Sequence, residues 1–212
     1  LAALGAVDFL MWVVTGISTG LTQGFSIQLS QYYGAKDFEN LRKSLAHSYR
    51  LTAFIAAGVL ILSQLFASLV LTGLHTPSNI IGMSLLYLRI IFCGIPATAA
   101  YNMFASALRA MGNSKTPLTA MIIASVLNVS LDILFVAGFG WGVAGAAIAT
   151  VIAQSFSAVY CFLILRRIDI VHLTRADFMP ASGMNARLMK LGIPVVFQNI
   201  IIGVGGLVVQ YV

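Results

Sequence analysis

The sequence has 212 residues, of which 59% are hydrophobic and only 8% charged, and its mean hydropathy is +0.96. A soluble domain carries about 25% charged residues, so this chain has too few to cover a water-facing surface, and lipid must solvate much of it. The net charge of +6 comes without the aromatic–basic clusters that stack nucleobases, which argues against nucleic acid as a partner.

The chain opens at Leu1 rather than Met and runs at once into apolar residues, with no basic leader and no cleavage site, so it reads as the inside of a longer protein and not as a signal peptide. A helix needs about 20 apolar residues to cross a hydrocarbon core roughly 30 Å thick. That requirement predicts six spans, at 6–33, 45–71, 79–108, 117–137, 142–165 and 191–212. Gly34 closes the first, and Asp37 is placed to cap the helix leading into the second. The connection after the second span, Thr72–Pro77, holds no Lys or Arg. The third span ends in a basic connection in which Gly112 supplies the turn, and Thr116 and Pro117 are the expected N-cap and first residue of the fourth. An uncharged turn, Gly138–Gly142, leads into the fifth span, whose Gly142, Gly145, Ala146, Ala147 and Ala149 make a small-residue surface suited to close helix approach. The polar stretch 168–190 reads as a linker between two helical bundles, and the last span follows it.

Every Lys and Arg except Arg89 lies in or beside three connections, 34–50, 109–117 and 166–190. Alternation of spans puts these three on one side, and the positive-inside rule makes that side cytoplasmic. Tyr32, Tyr33 and Trp141 fall at the boundaries, where aromatic anchors belong. Arg89 is expected to neutralise Asp8 or to snorkel outward.

Polar groups inside lipid-spanning helices are costly and therefore informative. Asp132 lies about six residues inside the outer end of the fourth span, roughly 9 Å deep at 1.5 Å per residue. Asn128, four residues earlier, shares its face. Thr150 and Tyr87 sit on neighbouring spans at roughly 12 Å depth. The four converge on one expected polar pocket, in which a carboxylate suits proton exchange or, with amide and hydroxyl oxygens, a small hard cation such as Na⁺. The bland alternative is interhelical hydrogen bonding alone. Asn102 and Gln198 are weaker candidates for a substrate-facing cavity. Cys93 and Cys161 sit in apolar runs, and His47, His75 and His172 are scattered, so no structural metal site is expected. The sequence contains no HExxH, GxSxG, Walker or kinase signature, so neither an enzyme nor a cofactor is expected.

These residues resemble the multidrug and toxic compound extrusion family, the MATE transporters. Arg109-Ala-Met-Gly-Asn-Ser-Lys-Thr-Pro117 is similar to the family's Arg-Ala-x-Gly-Asp/Asn-Ser/Thr-x-x-Pro turn. Asn128-Val-Ser-Leu-Asp132 with Gly145-Ala-Ala-Ile-Ala-Thr150, Tyr87-Leu-Arg-Ile90 with Gly94-Ile-Pro96, and Gly34-Ala-Lys-Asp37 extend the likeness over essentially the whole chain. The resemblance implies an all-α integral membrane bundle forming most of the N-terminal lobe of a twelve-helix transporter. In this reading 1–167 are five spans of that lobe, 168–190 the cytoplasmic inter-lobe linker, and 191–212 the first helix of the second lobe. It implies an ion site at Tyr87, Asn128, Asp132 and Thr150, completed by an Asp on a helix that precedes this chain and that Asp8 does not replace. The implied activity is H⁺- or Na⁺-coupled antiport of amphipathic or cationic organic compounds across the cell membrane. The implied partners are small organic substrates, the bilayer and the remaining half of the transporter. A lipid-linked oligosaccharide flippase of the same superfamily and a non-transporting membrane scaffold are the rival readings.

Overall fold

The computed structural model describes residues 2–73, 81–179 and 183–211, with side chains in these segments except at 2–14, 70, 73 and 203–211. His75 and Thr76, the side chain of Asp8 and most of the uncharged connection 72–77 therefore lie outside the described residues. Among those described there is no strand. The helices are α1 (Ala2–Gly34), α2 (Phe38–Gly73), α3 (Ile81–Cys93), α4 (Ile95–Ala110), α5 (Lys115–Asp132), α6 (Gly142–Arg166) and α7 (Met184–Tyr211), and a π-helical segment, Ile133–Gly138, continues α5. Among the described residues, four stretches are long and apolar enough to cross a membrane: Phe38–Leu69, Ile81–Ala110, Lys115–Gly138 and Gly142–Arg166.

The span expected at 79–108 is two helices. Gly94 separates them, its N–H bonding back to the Ile91 carbonyl at 2.8 Å in a tighter, i−3 pattern. Pro96 follows and has no N–H to continue the ladder. A side chain at Gly94 would meet Val151 Cγ2 at 2.8 Å, so the break is also where this chain presses against α6.

Turn chemistry refines the sequence reading at both basic connections. At the end of α1 the left-handed position is occupied by Lys36 (φ 58°), not Gly34. The Asp37 N–H reaches the Tyr32 carbonyl and the Lys36 N–H the Tyr33 carbonyl, closing a Schellman turn. Asp37 then caps α2 by accepting the Asn40 N–H at 3.1 Å and the Asn40 side-chain amide at 2.7 Å. Those bonds, the side-chain one first, hold its carboxyl below the ordinary carboxylate value. The end of α4 repeats the motif with Gly112 at φ 82°. Here Thr116 and Pro117 are not the cap and first helical residue. The helix α5 starts at Lys115, and Asn113 caps it by accepting the Thr116 N–H at 3.1 Å. Pro117 still lies in the first turn, where no intrahelical donor is missed.

The helix α7 begins at Met184, so residues 184–190, read from their polarity as linker, are its first two turns. Met184 and Leu188, one turn apart, are buried against the bundle and anchor that extension. The linker before it is ordered against α2. Asp177 is buried, closes its own turn by accepting from the Thr174 N–H and hydroxyl, and faces Arg42 at 3.9 Å. His47, itself fully buried, lies 2.7 Å from Asn185 Oδ1 and 3.1 Å from the Met179 carbonyl. Arg50 donates to the Phe178 carbonyl at 3.0 Å.

One core cluster joins Phe25 and Leu29 of α1, Leu41 and Leu45 of α2, Leu108 and Met111 at the end of α4, Leu165 of α6, Val171 of the linker and Leu188 of α7. All three basic connections therefore meet at one end of the bundle, as the alternation of charge requires. A second, smaller cluster packs Ala67 and Leu71 of α2 on Leu88, Phe92 and Ile95. Outward faces carry Phe54, Leu65, Leu69, Val126, Val129 and Ile133, all more than half exposed. Such an apolar exterior is stable only in hydrocarbon.

Candidate functional site

A cavity of about 190 Å³ opens between α1, α3, α4 and α6. Its polar lining is Thr15 and Ser18 from α1, Tyr87 from α3, Thr98 from α4, and Thr150 and Gln154 from α6; Ile91, Phe92, Ile95 and Val151 make the apolar remainder. The break at Gly94 helps to form this space, because it brings both halves of the third span to the same wall. Ser18 is 5% exposed, and its hydroxyl has no hydrogen-bond partner among the described residues.

Two of the four residues expected at the site, Tyr87 and Thr150, line this cavity together. Asn128 reaches it from behind, its side-chain amide donating to Thr150 Oγ1 at 3.4 Å. The Thr150 hydroxyl in turn donates to the Ala146 carbonyl at 3.0 Å, so it serves as acceptor and donor at once. Asp132 stands one turn beyond Asn128 and does not line the cavity. It is half-buried, and its Oδ1 is enclosed without a hydrogen-bond partner among the described residues. The π-helical segment starts immediately after it, with the Phe139 N–H reaching back five residues to Leu134. Such segments recur at functional positions. The close approach of α6 accompanies it, since a side chain at Gly145 would meet Phe135 Cβ at 2.9 Å. Within the small-residue surface of the fifth span it is Gly145, buried, that admits the π segment.

The weaker candidates fall elsewhere. The Asn102 amide donates to Thr19 Oγ1 at 3.1 Å and ties α4 to α1. Gln198 is exposed on α7. Arg89 is exposed and forms no ion pair among the described residues. No group of three His, Cys, Asp or Glu side chains able to hold a metal is found among the described residues. A Na⁺ near Asp132 would have to draw its other oxygens from Asn128, Thr150 and backbone carbonyls.

Sequence reasoning missed Thr15, Ser18, Thr98 and Gln154. Part of the signal was available, because Gln154 lies one turn from Thr150, and Ser18 one turn from Thr15. Isolated hydroxyls in membrane helices commonly bond their own backbone, as Thr22 does to the Ser18 carbonyl, and so carry little weight when read singly.

Comparison with known proteins adds an independent finding. The model of the MatE family matches residues 1–134. A "Probable multidrug resistance protein YpnP" of Bacillus subtilis (strain 168) is 31% identical over 99% of this chain and 48% of its own length. A "Multidrug export protein MepA" of Staphylococcus saprophyticus is 26% identical over 93% of this chain and 44% of its own length. Among solved structures, the inward-facing conformation of a multidrug resistance MATE family transporter of the MOP superfamily aligns with a TM-score of 0.87 at 23% identity, over 96% of this chain and 47% of that one. That likeness is one of fold. The chain spans about half the length of the curated relatives it matches.

Proposed function

Because this chain belongs to the MatE family, we propose that it supplies most of one lobe of an ion-coupled exporter of amphipathic, often cationic, organic compounds. Members of this family are transporters, not enzymes, and the chain is a multi-pass membrane protein. The finer steps are our reading. Tyr87, Asn128, Asp132 and Thr150 form the coupling site, which takes up H⁺ or Na⁺ in one orientation of the lobes and releases it in the other. The second lobe, beyond the stretch matched here, completes the substrate path.

The observation that carries this reading is the buried, unpartnered Oδ1 of Asp132 one turn from an amide–hydroxyl relay that ends in a cavity. A carboxylate oxygen left without a donor among apolar helices is an expensive structural element. It is well placed to take a proton or a small cation. A lipid-linked glycan carries phosphate and would call for a basic cavity, and the lining described here contains no Lys or Arg.

The test is Asp132→Asn in the full-length protein, reconstituted in liposomes under an imposed proton gradient and again under a sodium gradient. Asparagine keeps the shape, removes the charge and brings its own donor. Losing a charged ligand is worth about 1.5–3 kcal/mol, or roughly ten- to hundredfold in coupled efflux, while insertion and substrate binding persist. Asn128→Ala and Thr150→Ala remove neutral ligands and should cost less. Efflux by Asp132→Asn at the parent rate under both gradients would make Asp132 a purely structural residue, and the scaffold reading would gain.

A further inference from the structure

An apolar recess in this lobe has no part in the proposed coupling site. It has a volume of about 350 Å³ and lies between α2 and α4, with Phe162 of α6 at one end. Ala53, Ala56 and Ala57 of α2 and Ala99 and Ala100 of α4 give it depth, and Leu60 and Pro96 close the end away from the basic connections. Its only polar side chains are Tyr49 and Thr52, both at the basic end. Thr52 is 8% exposed, and its hydroxyl has no hydrogen-bond partner among the described residues, not even the carbonyl one turn back that helical threonines commonly use.

Length and charge together point to an occupant. From Tyr49 to Leu60 the rise is roughly 16 Å at 1.5 Å per residue. That is about half the hydrocarbon core, the depth of one leaflet. At the basic end stand two exposed arginines. Arg50 lies three residues before Ala53 and seven before Ala57, on the face of α2 that lines the recess, and Arg166 lies one turn past Phe162 on α6. Arg50 uses one N–H on the Phe178 carbonyl and retains the rest of its fork. The order along the recess is therefore cation, hydroxyl, apolar channel.

We propose that this recess is a binding site for an anionic glycerophospholipid of the basic-side leaflet. The phosphate sits at Arg50 and Arg166, the ester region beside Tyr49 and Thr52, and one acyl chain along the alanine channel. A zwitterionic lipid fits the channel equally but gains less from the two cations, so the site selects on headgroup charge. The lipid seats between α2 and α4, beside the docked linker, and holds that face of the lobe.

The experiment uses the full-length protein in nanodiscs of equal phosphatidylglycerol and phosphatidylcholine, with retained lipids counted by native mass spectrometry. The parent should keep phosphatidylglycerol in preference to phosphatidylcholine. Removing one cation near a membrane surface should reduce that preference roughly fivefold, so R50Q and R166Q should each retain lipid with reduced headgroup selectivity. A57F should fill the channel and lose the retained lipid. Equal retention of both lipids by the parent, undiminished selectivity in both arginine variants, or no retained lipid at all would each overturn the proposal; the last result would mean that another protein segment covers the recess. Should A57F fail to assemble, the two arginine variants, on exposed positions, decide the matter.

Discussion

Among the described glycines the closest helix approach lies between α1 and α7, and a single added carbon tests it. Gly20 and Gly24 of α1 face Val196 and Gly192 of α7, the small-residue spacing that lets membrane helices touch. A Cβ at Gly24 would lie 2.3 Å from Gly192 Cα and 2.7 Å from the Leu191 carbonyl oxygen. Carbon atoms rest about 3.5–4.0 Å apart, so Gly24→Ala must part the helices by roughly 1.2–1.7 Å against backbone that cannot rotate away. Overpacking of this kind costs about 1–3 kcal/mol. At Gly192 the first obstacles are the ends of side chains, Leu21 Cδ2 at 2.9 Å and Phe25 Cε1 at 3.1 Å, so Gly192→Ala should cost less. Gly16 has nothing within 4 Å, and Gly16→Ala should be neutral or stabilising by about 0.5–1 kcal/mol through helix propensity. Thermal stability in detergent would rank the three variants. The distance between spin labels at Gln28→Cys and Met184→Cys, whose native side-chain ends meet at 3.3 Å, would report the helix separation. Equal stability and equal label distances in Gly24→Ala and Gly16→Ala would refute the close packing.

Two further predictions concern the basic end. His47→Ala leaves Asn185 and the Met179 carbonyl without their buried partner, at about 1–3 kcal/mol, so tryptic cleavage at Arg175 or Arg187 should quicken roughly five- to hundredfold; an unchanged rate would mean that the linker is not held by this histidine. Cysteines at Lys36, Lys115 and Arg175 should react with membrane-impermeant reagents from the cytoplasmic side only, and one at Thr76, which lies outside the described residues, from the other side. Labelling of Lys115 from outside intact cells would overturn the orientation drawn from the cations.

The helices were legible because lipid imposes a simple demand, an unbroken run of apolar residues long enough to cross, and because the cations obey a rule of sidedness. Features set by tertiary contact were not legible. Apolarity is continuous through Gly94-Ile95-Pro96, so hydropathy reads one span where α6 and the missing proline donor make two helices. The start of α7 was hidden by Asn185, Arg187 and Lys190, which mark a helix emerging into water as readily as a linker. The buried pair Met184 and Leu188 was the available clue. At the α5 entrance two residue types competed for one role: Thr116 and Asn113 can both cap, and the Schellman turn at Gly112 decides for Asn113 by turning its side chain onto the Thr116 N–H.

For the candidate site the same division separates depth from direction. Counting residues from a boundary fixes depth, and Tyr87 and Thr150 do share one cavity wall. Counting does not fix azimuth, which depends on how helices roll against one another. Asn102, a weaker candidate for a substrate-facing cavity, donates to Thr19 of α1. Asp132 follows Asn128 by one turn, yet only Asn128 touches Thr150. Beyond Asp132 the π segment changes the angular step of the helix, and nothing in Ile133–Gly138 announces it; across the interface, Gly145 leaves the room that Phe135 occupies. The distinction bears on mechanism. Were Asp132 bonded directly to Thr150, the pair would satisfy itself, and a proton or cation would have to break it. Held one turn away, the carboxylate keeps an enclosed oxygen that accepts nothing among the described residues, and in the proposed function that oxygen is where an ion or a donor from another segment would bind. One turn away, Asn128 donates to Thr150, which lines the cavity, so the proposed ion position and the cavity wall share one helix face.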